Sequence, residues 1–194
     1  MVRVPGFFCR LQKNIPKVKV KRGQVGNKTI LQCVLLQFTA TLVMAVTTLV
    51  LSFGKGIAEP TTVFLSPFML FLLLIINPIV EEVIFRKLLA QRLLKHGEFF
   101  FIFSSSFCFA LVHGVSQGVP HIFYTFIIGL VLAYLYVKTG SLKLPILLHS
   151  LSNLFGAVIL QLIQRVSLEV AGMYSLFLMF LGVIGLIWFI KTRK

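Results

Sequence analysis

Glu81 and Glu82 stand side by side at the end of an uncharged apolar run, Val63 to Val80, and Arg86 follows four residues after the second acid. A carboxylate near the middle of a bilayer costs roughly 2.5 to 3.5 kcal/mol even on lenient insertion scales, so acids in such a setting mark a candidate functional site. His113 closes the stretch Phe109-Ala-Leu-Val-His113, and His149-Ser-Leu-Ser-Asn153 brings a second histidine and an amide. Carboxyl, imidazole and amide groups together meet the needs of amide hydrolysis: a base for water, donors for the developing oxyanion, and an acid for the leaving amine.

Residues four apart share one face of a helix. Glu82 then lies beside Arg86, Phe109 beside His113, and His149 beside Asn153, while Glu81 points about 100° away from Glu82. Glu82 can pair with Arg86 at the favourable spacing, acid before base. Glu81 lacks that partner and is the candidate general base. Ser150 and Ser152 flank the second histidine, and Ser104 to Ser106 precede the first. Serines inside spans commonly pack helices, so no serine nucleophile is expected. His96, beside Gly97, reads as a solvated helix end, His121 as facing the outer interface, and Gln117 as a cavity-lining residue. Two histidines and a glutamate from separate helices also suit a three-ligand zinc site with an open position for water, here Glu81, His113 and His149. No HExxH-type spacing selects that alternative, and metal-free chemistry is preferred.

The elements that must carry these residues are membrane helices. The chain has 194 residues, 58% of them hydrophobic and 20 of them Phe, with a mean hydropathy of +0.97; soluble domains run about 45 to 50% apolar. The fold class is therefore an all-α polytopic membrane bundle. Six spans are expected, over Ile30–Phe53, Val63–Phe85, Phe99–Val115, Pro120–Val137, Leu144–Gln164 and Val170–Ile190. Asn77-Pro78 interrupts the second, and because Pro lacks an N–H and disfavours helix before it, a fresh helix is expected to start near Pro78 and carry both glutamates. The third and fourth spans are short and are separated by Gly114, Gly118 and Pro120.

Charge orients the bundle. Lys and Arg number eight in residues 1–28, four in 86–95, two in 138–143 and three in 191–194, so all but Lys55 and Arg165 fall on alternate loops. The positive-inside rule then places both termini in the cytoplasm. Residues 1–29 form a basic cytoplasmic segment and residues 30–194 one transmembrane domain. The net charge of +14 reflects topology and contact with anionic lipid rather than nucleic-acid binding. The basic region is too long, and the first span too long, for a cleavable signal, so that span is expected in the mature protein. Cys9, Cys33 and Cys108 lack metal-ligand spacing and read as packing residues. No internal repeat points to a transporter.

The three polar clusters resemble a known family. Glu81-Glu82-Val-Ile-Phe-Arg86 is similar to the EExxxR motif of the CPBP intramembrane proteases, the CAAX protease and bacteriocin-processing (Abi) family. Phe109 to His113 resembles its FxxxH motif and His149 to Asn153 its HxxxN motif, in order, within about residues 63–160. The resemblance implies a membrane-embedded peptidase, in its eukaryotic branch one that removes the last three residues of prenylated proteins, and in bacteria one tied to bacteriocin immunity, peptide maturation or quorum signalling. It implies that Glu81 and His113 activate water, that His149 and Asn153 stabilise the oxyanion, and that Glu82 and Arg86 hold the first helix. It also brings the label metalloendopeptidase, and hence zinc, into view. The substrate it implies is a peptide or membrane-anchored protein at a bacterial plasma membrane. The alternative is a non-catalytic immunity or scaffold protein of the same fold.

Straight spans leave one tension. Glu81 and His149 would fall in the cytoplasmic half and His113 near the outer end of its span, a mismatch on the order of 15 Å at 1.5 Å per residue. A bend or a shifted helix is needed to bring the three together.

Overall fold

The computed structural model describes Val20, residues 23–53 and residues 66–192. Six helices are long and apolar enough to cross a bilayer: α1 (Asn27–Ser52), α2 (Pro67–His96), α3 (Glu98–Gln117), α4 (Val119–Thr139), α5 (Lys143–Gln164) and α6 (Leu168–Thr192). There is no strand among the described residues. The chain is an integral membrane protein. Most of the basic segment, and Val63 to Leu65 of the expected second span, lie outside the described residues.

Successive helices run antiparallel, as contacts at their ends show. Lys138 at the end of α4 pairs with Glu98 at the start of α3, at 2.9 Å. Gln32 near the start of α1 donates to Thr192 at the end of α6, at 3.1 Å. The bundle thus has one end carrying the start of α1, the Gly97 turn, the α4–α5 turn and the end of α6. The other end carries Ser52, Ser66, Gly118 and the α5–α6 turn. Gly97 and Gly118, at φ 107° and 89°, occupy backbone that side chains with a Cβ rarely adopt, and each separates two helices with a single-residue turn.

α4 is the central helix: 56% of its span is buried, against 28% or less in the other five. Cys33 and Ala40 of α1 and Leu148 of α5 pack on its Ile128, Leu132 and Leu135. Nearer the Gly97 end, Ala90 of α2 and Phe101 of α3 close on Ala133, Tyr136 and Val137.

α2 departs from expectation. α-Helical turns do resume at Asn77, with Pro78 in the first turn, and carry both glutamates, but the chain does not break there and the span does not end at Phe85; it runs on to His96. Widened π-helical turns at Leu72–Ile76 and Val83–Leu88 absorb the irregularity. In the first of them the Asn77 N–H reaches back five residues to the Leu72 carbonyl. The next donor in that register would belong to Pro78, which has none. Arg86, expected at a cytoplasmic loop, is instead a fully buried residue inside the membrane helix. The third and fourth spans are also longer than expected, at 20 and 21 residues.

These differences remove the depth mismatch. Glu81 precedes Gly97 by 16 residues and His113 follows it by 16, so the α2–α3 hairpin sets both at about 24 Å from one turn. The mismatch arose from ending α2 too early.

Candidate active site

Glu82 lies at the centre of the cluster with zero exposure. Its Oε2 is 3.1 Å from Arg86 Nε, and Arg86 is likewise fully buried. Neither of these two atoms completes a hydrogen bond, so the contact is an ion pair across a short distance rather than an aligned bond. Arg86 Nη1 donates to Ser105 Oγ at 2.7 Å, and Ser105 in turn donates to the Phe85 carbonyl, at 2.7 Å, in the second widened turn of α2. The guanidinium carbon sits 5.2 Å from the centre of the Phe109 ring, within cation–π range.

The other carboxylate oxygen of Glu82 faces α5. His149 Nδ1 lies 3.1 Å from Glu82 Oε1; with Glu82 ionised opposite Arg86, Nδ1 carries the hydrogen and donates. On α3, His113 Nδ1 lies 2.9 Å from the Phe109 carbonyl, an acceptor only, so there too Nδ1 donates. Each imidazole is thereby oriented with Nε2 free. The Phe109 ring wedges between them, its centroid 4.5 Å from that of His113 and 5.5 Å from that of His149.

Both free nitrogens converge on Glu81. Its Oε2 is 3.7 Å from His113 Nε2 and 3.5 Å from His149 Nε2, too long for good direct hydrogen bonds. Glu81 keeps 25% exposure and His113 19%, whereas Glu82 has none. The two acids are therefore unlike: one is locked in an ion pair, the other opens to a cavity.

Asn153 Nδ2 donates to the Leu73 carbonyl at 2.9 Å. That carbonyl lies five residues before Pro78 and lacks a backbone donor in the widened register, so α5 supplies across the helix interface what α2 cannot. The Asn153 amide keeps a second N–H and its own oxygen, and it lines the cavity with Glu81, His113 and His149. The cavity holds about 700 Å³ and also receives Asn77, Tyr124 and His121, the last of which was expected at the outer interface.

The structure thus gathers Glu81, Glu82, Arg86, His113 and His149 in one cluster and sets Asn153 on the same cavity wall. Two polar participants were not assigned to the site from the sequence, Ser105 having been read with its neighbours as a packing serine. Ser105 lies on the same α3 face as Phe109 and His113, at four-residue intervals, and that spacing could have found it. Gln37 of α1, which accepts from Ser152 Oγ at 2.8 Å, had no such signal. For zinc, the expected ligands were Glu81, His113 and His149, yet among the described residues no group of three His, Cys, Asp or Glu side chains is arranged to hold a metal ion.

Comparison with known proteins gives the chain its relatives. A family model described as Type II CAAX prenyl endopeptidase Rce1-like matches residues 63–155, the segment that contains every motif residue. A putative membrane peptidase, YdiL, of Bacillus subtilis (strain 168) is 36% identical over 97 residues, covering 50% of this chain and 38% of that protein. The membrane-embedded CAAX protease MroQ of Staphylococcus aureus (strain USA300) is 35% identical over 112 residues, 54% of this chain and 44% of that protein. The match thus spans less than half the length of either relative. No solved structure matches the chain. Six apolar spans and bacterial membrane relatives make it an integral protein of the bacterial plasma membrane. EExxxR, FxxxH and HxxxN converge in space inside the matched segment, and that segment is similar to the Rce1-like CAAX endopeptidases and to two bacterial membrane peptidases.

Proposed function

We propose that the protein is an intramembrane endopeptidase that hydrolyses a peptide bond of a membrane-associated peptide or protein, with water activated by side chains alone. The observation that carries this reading is the convergence of His113 Nε2 and His149 Nε2 on the cavity-facing Glu81 Oε2, at 3.7 and 3.5 Å.

Charge balance suggests how the centre is poised. Glu81 and Glu82 bring two negative charges and Arg86 one positive charge, and a buried cluster favours neutrality. One proton shared among Glu81 and the two Nε2 atoms supplies it. With that proton on His149, the imidazolium is held by Glu82 on one side and faces the cavity on the other. Glu81, assisted by His113, takes a proton from water as the water oxygen bonds to the substrate carbonyl carbon. The oxyanion accepts hydrogen bonds from His149 Nε2–H and the second N–H of Asn153. Collapse breaks the C–N bond, and the proton held by Glu81 passes to the leaving amine.

Peptidomics of cells carrying the wild type or Glu81→Gln tests this. The expected result is at least one peptide product that vanishes with Glu81→Gln at equal membrane levels of the two proteins. Identical peptide sets would sink the proteolytic reading. A cellular phenotype that survives the substitution would favour the non-catalytic immunity or scaffold alternative.

A further inference from the structure

We infer that a basic pocket at the Gly97 end of the bundle binds the phosphate of an anionic membrane lipid, bridging α2 and α5. The inference does not rest on the proteolytic reading above.

The pocket holds about 730 Å³ and shares no lining residue with the cavity around Glu81. Its walls include Lys87 of α2, Tyr136 and Thr139 at the end of α4, Ser141 and Lys143 where α5 begins, and Gly23 ahead of α1. Gly23 holds that last wall close: its N–H donates to the Thr139 carbonyl at 3.3 Å, and a Cβ on it would strike the Lys138 carbonyl.

Donors dominate what these walls offer. Lys87 and Lys143 form no ion pair among the described residues, and Glu98, the acid at the same end, is taken by Lys138 at 2.9 Å. Tyr136 is only 7% exposed. Its hydroxyl has no hydrogen-bond partner among the described residues, yet the oxygen is not sealed off, and the pocket is the space beside it. A buried hydroxyl left without a partner needs an explanation, and a ligand acceptor in the pocket supplies one. Ser141 Oγ accepts from the Lys143 N–H at 3.3 Å, so its own hydrogen remains to be donated. The N-terminus of α5 adds the positive end of a helix dipole. Two ammonium groups, two hydroxyl donors and a helix N-terminus, with no carboxylate in the lining, select an anion with several acceptor oxygens.

The surroundings identify what carries that anion. One turn deeper than Lys87 and Lys143 stand Ile84 and Leu147, 44% and 54% exposed, and Leu88 beside Lys87 is 51% exposed. These apolar side chains face the hydrocarbon of the bilayer in a membrane protein. A phospholipid satisfies both zones, with its phosphate among the donors and its chains along α2 and α5. A free phosphate would use only the first. The helices joined in this way carry Glu81, Glu82 and His149.

Native mass spectrometry of the full-length protein tests the site. The probes are phosphatidylglycerol and phosphatidylcholine with matched acyl chains, added to delipidated protein in detergent. The wild type is expected to retain one phosphatidylglycerol at concentrations where phosphatidylcholine is lost. Lys87→Ala with Lys143→Ala should weaken that binding by at least about tenfold, and Tyr136→Phe, which keeps the ring and removes the hydroxyl, by about threefold to tenfold. Arg92→Ala with Lys95→Ala removes the same charge from the same end outside the pocket and should leave binding within about twofold of wild type. Equal retention of the two lipids, or equal weakening by the two double variants, overturns the proposal, because diffuse surface charge would then account for the binding. Inorganic phosphate that raises the melting temperature through Lys87 and Lys143, and displaces the lipid, would assign the pocket to a free anion and overturn the lipid. Glu81→Gln is expected to bind phosphatidylglycerol as the wild type does, so this site and the proteolytic reading can fail separately.

Discussion

Glu82 and Arg86 are each fully buried, and each is tolerable there only because of the other. Removing one partner of such a pair typically costs about 3 to 5 kcal/mol, because a charge is left buried without compensation. Arg86→Met is therefore expected to lower the melting temperature of detergent-solubilised protein by on the order of 10 °C. The double variant Glu82→Gln with Arg86→Met should recover part of that loss, since no lone charge remains. A single-variant melt within a degree or two of wild type would show that the pair is not a structural element. The pairing was legible in the sequence because both residues lie on one helix, four apart. The grip of Glu82 on His149 was not, because contacts between residues 67 positions apart depend on which helices adjoin. Ser105 stood between these cases, with its helical spacing to Phe109 and His113 plain and its partner Arg86 hidden.

Pro78 shows how an element resolves a local conflict that its own sequence cannot. Within a membrane, a carbonyl deprived of its donor must find another. α2 does not break at Pro78; it widens, and Asn153 of α5 donates to the Leu73 carbonyl at 2.9 Å. The sequence announced the disturbance but not its remedy, since the compensating donor lies 80 residues downstream. Asn153→Ala should cost about 1 to 3 kcal/mol, the penalty for an unsatisfied buried group. Pro78→Ala restores a backbone N–H one π-helical register from Leu73, so in that background Asn153→Ala should cost less. The double-mutant cycle, read by thermal melts, is expected to show coupling of at least about 0.5 kcal/mol. Strict additivity would mean that Asn153 does not act on α2 through that carbonyl. Because Asn153 also lines the cavity, its loss is expected to reduce product formation further than the melt alone explains.

At the scale of the whole molecule, the proposed catalytic residues all fall within residues 63–155, the segment matched by the family model, yet two walls of the cavity come from outside that segment. Thr41 to Ser52 of α1 and Ser175 to Met179 of α6 enclose the site. Their placement depends on how closely α6 approaches α1. A Cβ on Gly182 would lie 2.6 to 2.8 Å from backbone atoms of Phe38 and Thr39, and one on Gly185 2.7 to 2.9 Å from atoms of Leu35 and Leu36. Number and order of the spans could be read from apolar runs and alternating charge. This contact could not, because α6 is apolar around its whole circumference and no face is distinguished by pattern. Small residues let membrane helices meet backbone to backbone, and atoms of a helical backbone cannot swing aside as a side chain can. Gly182→Ala is therefore expected to push α6 away from α1 and cost about 1 to 3 kcal/mol in melts, as overpacking does. Gly172→Ala on the same helix, where an added Cβ meets nothing within 4 Å, is the control and should be neutral. Since α1 carries one wall of the cavity, the Gly182 variant should also lose product among molecules that remain folded. Equal melts for the two variants would show that the α1–α6 seam is not what holds that wall in place.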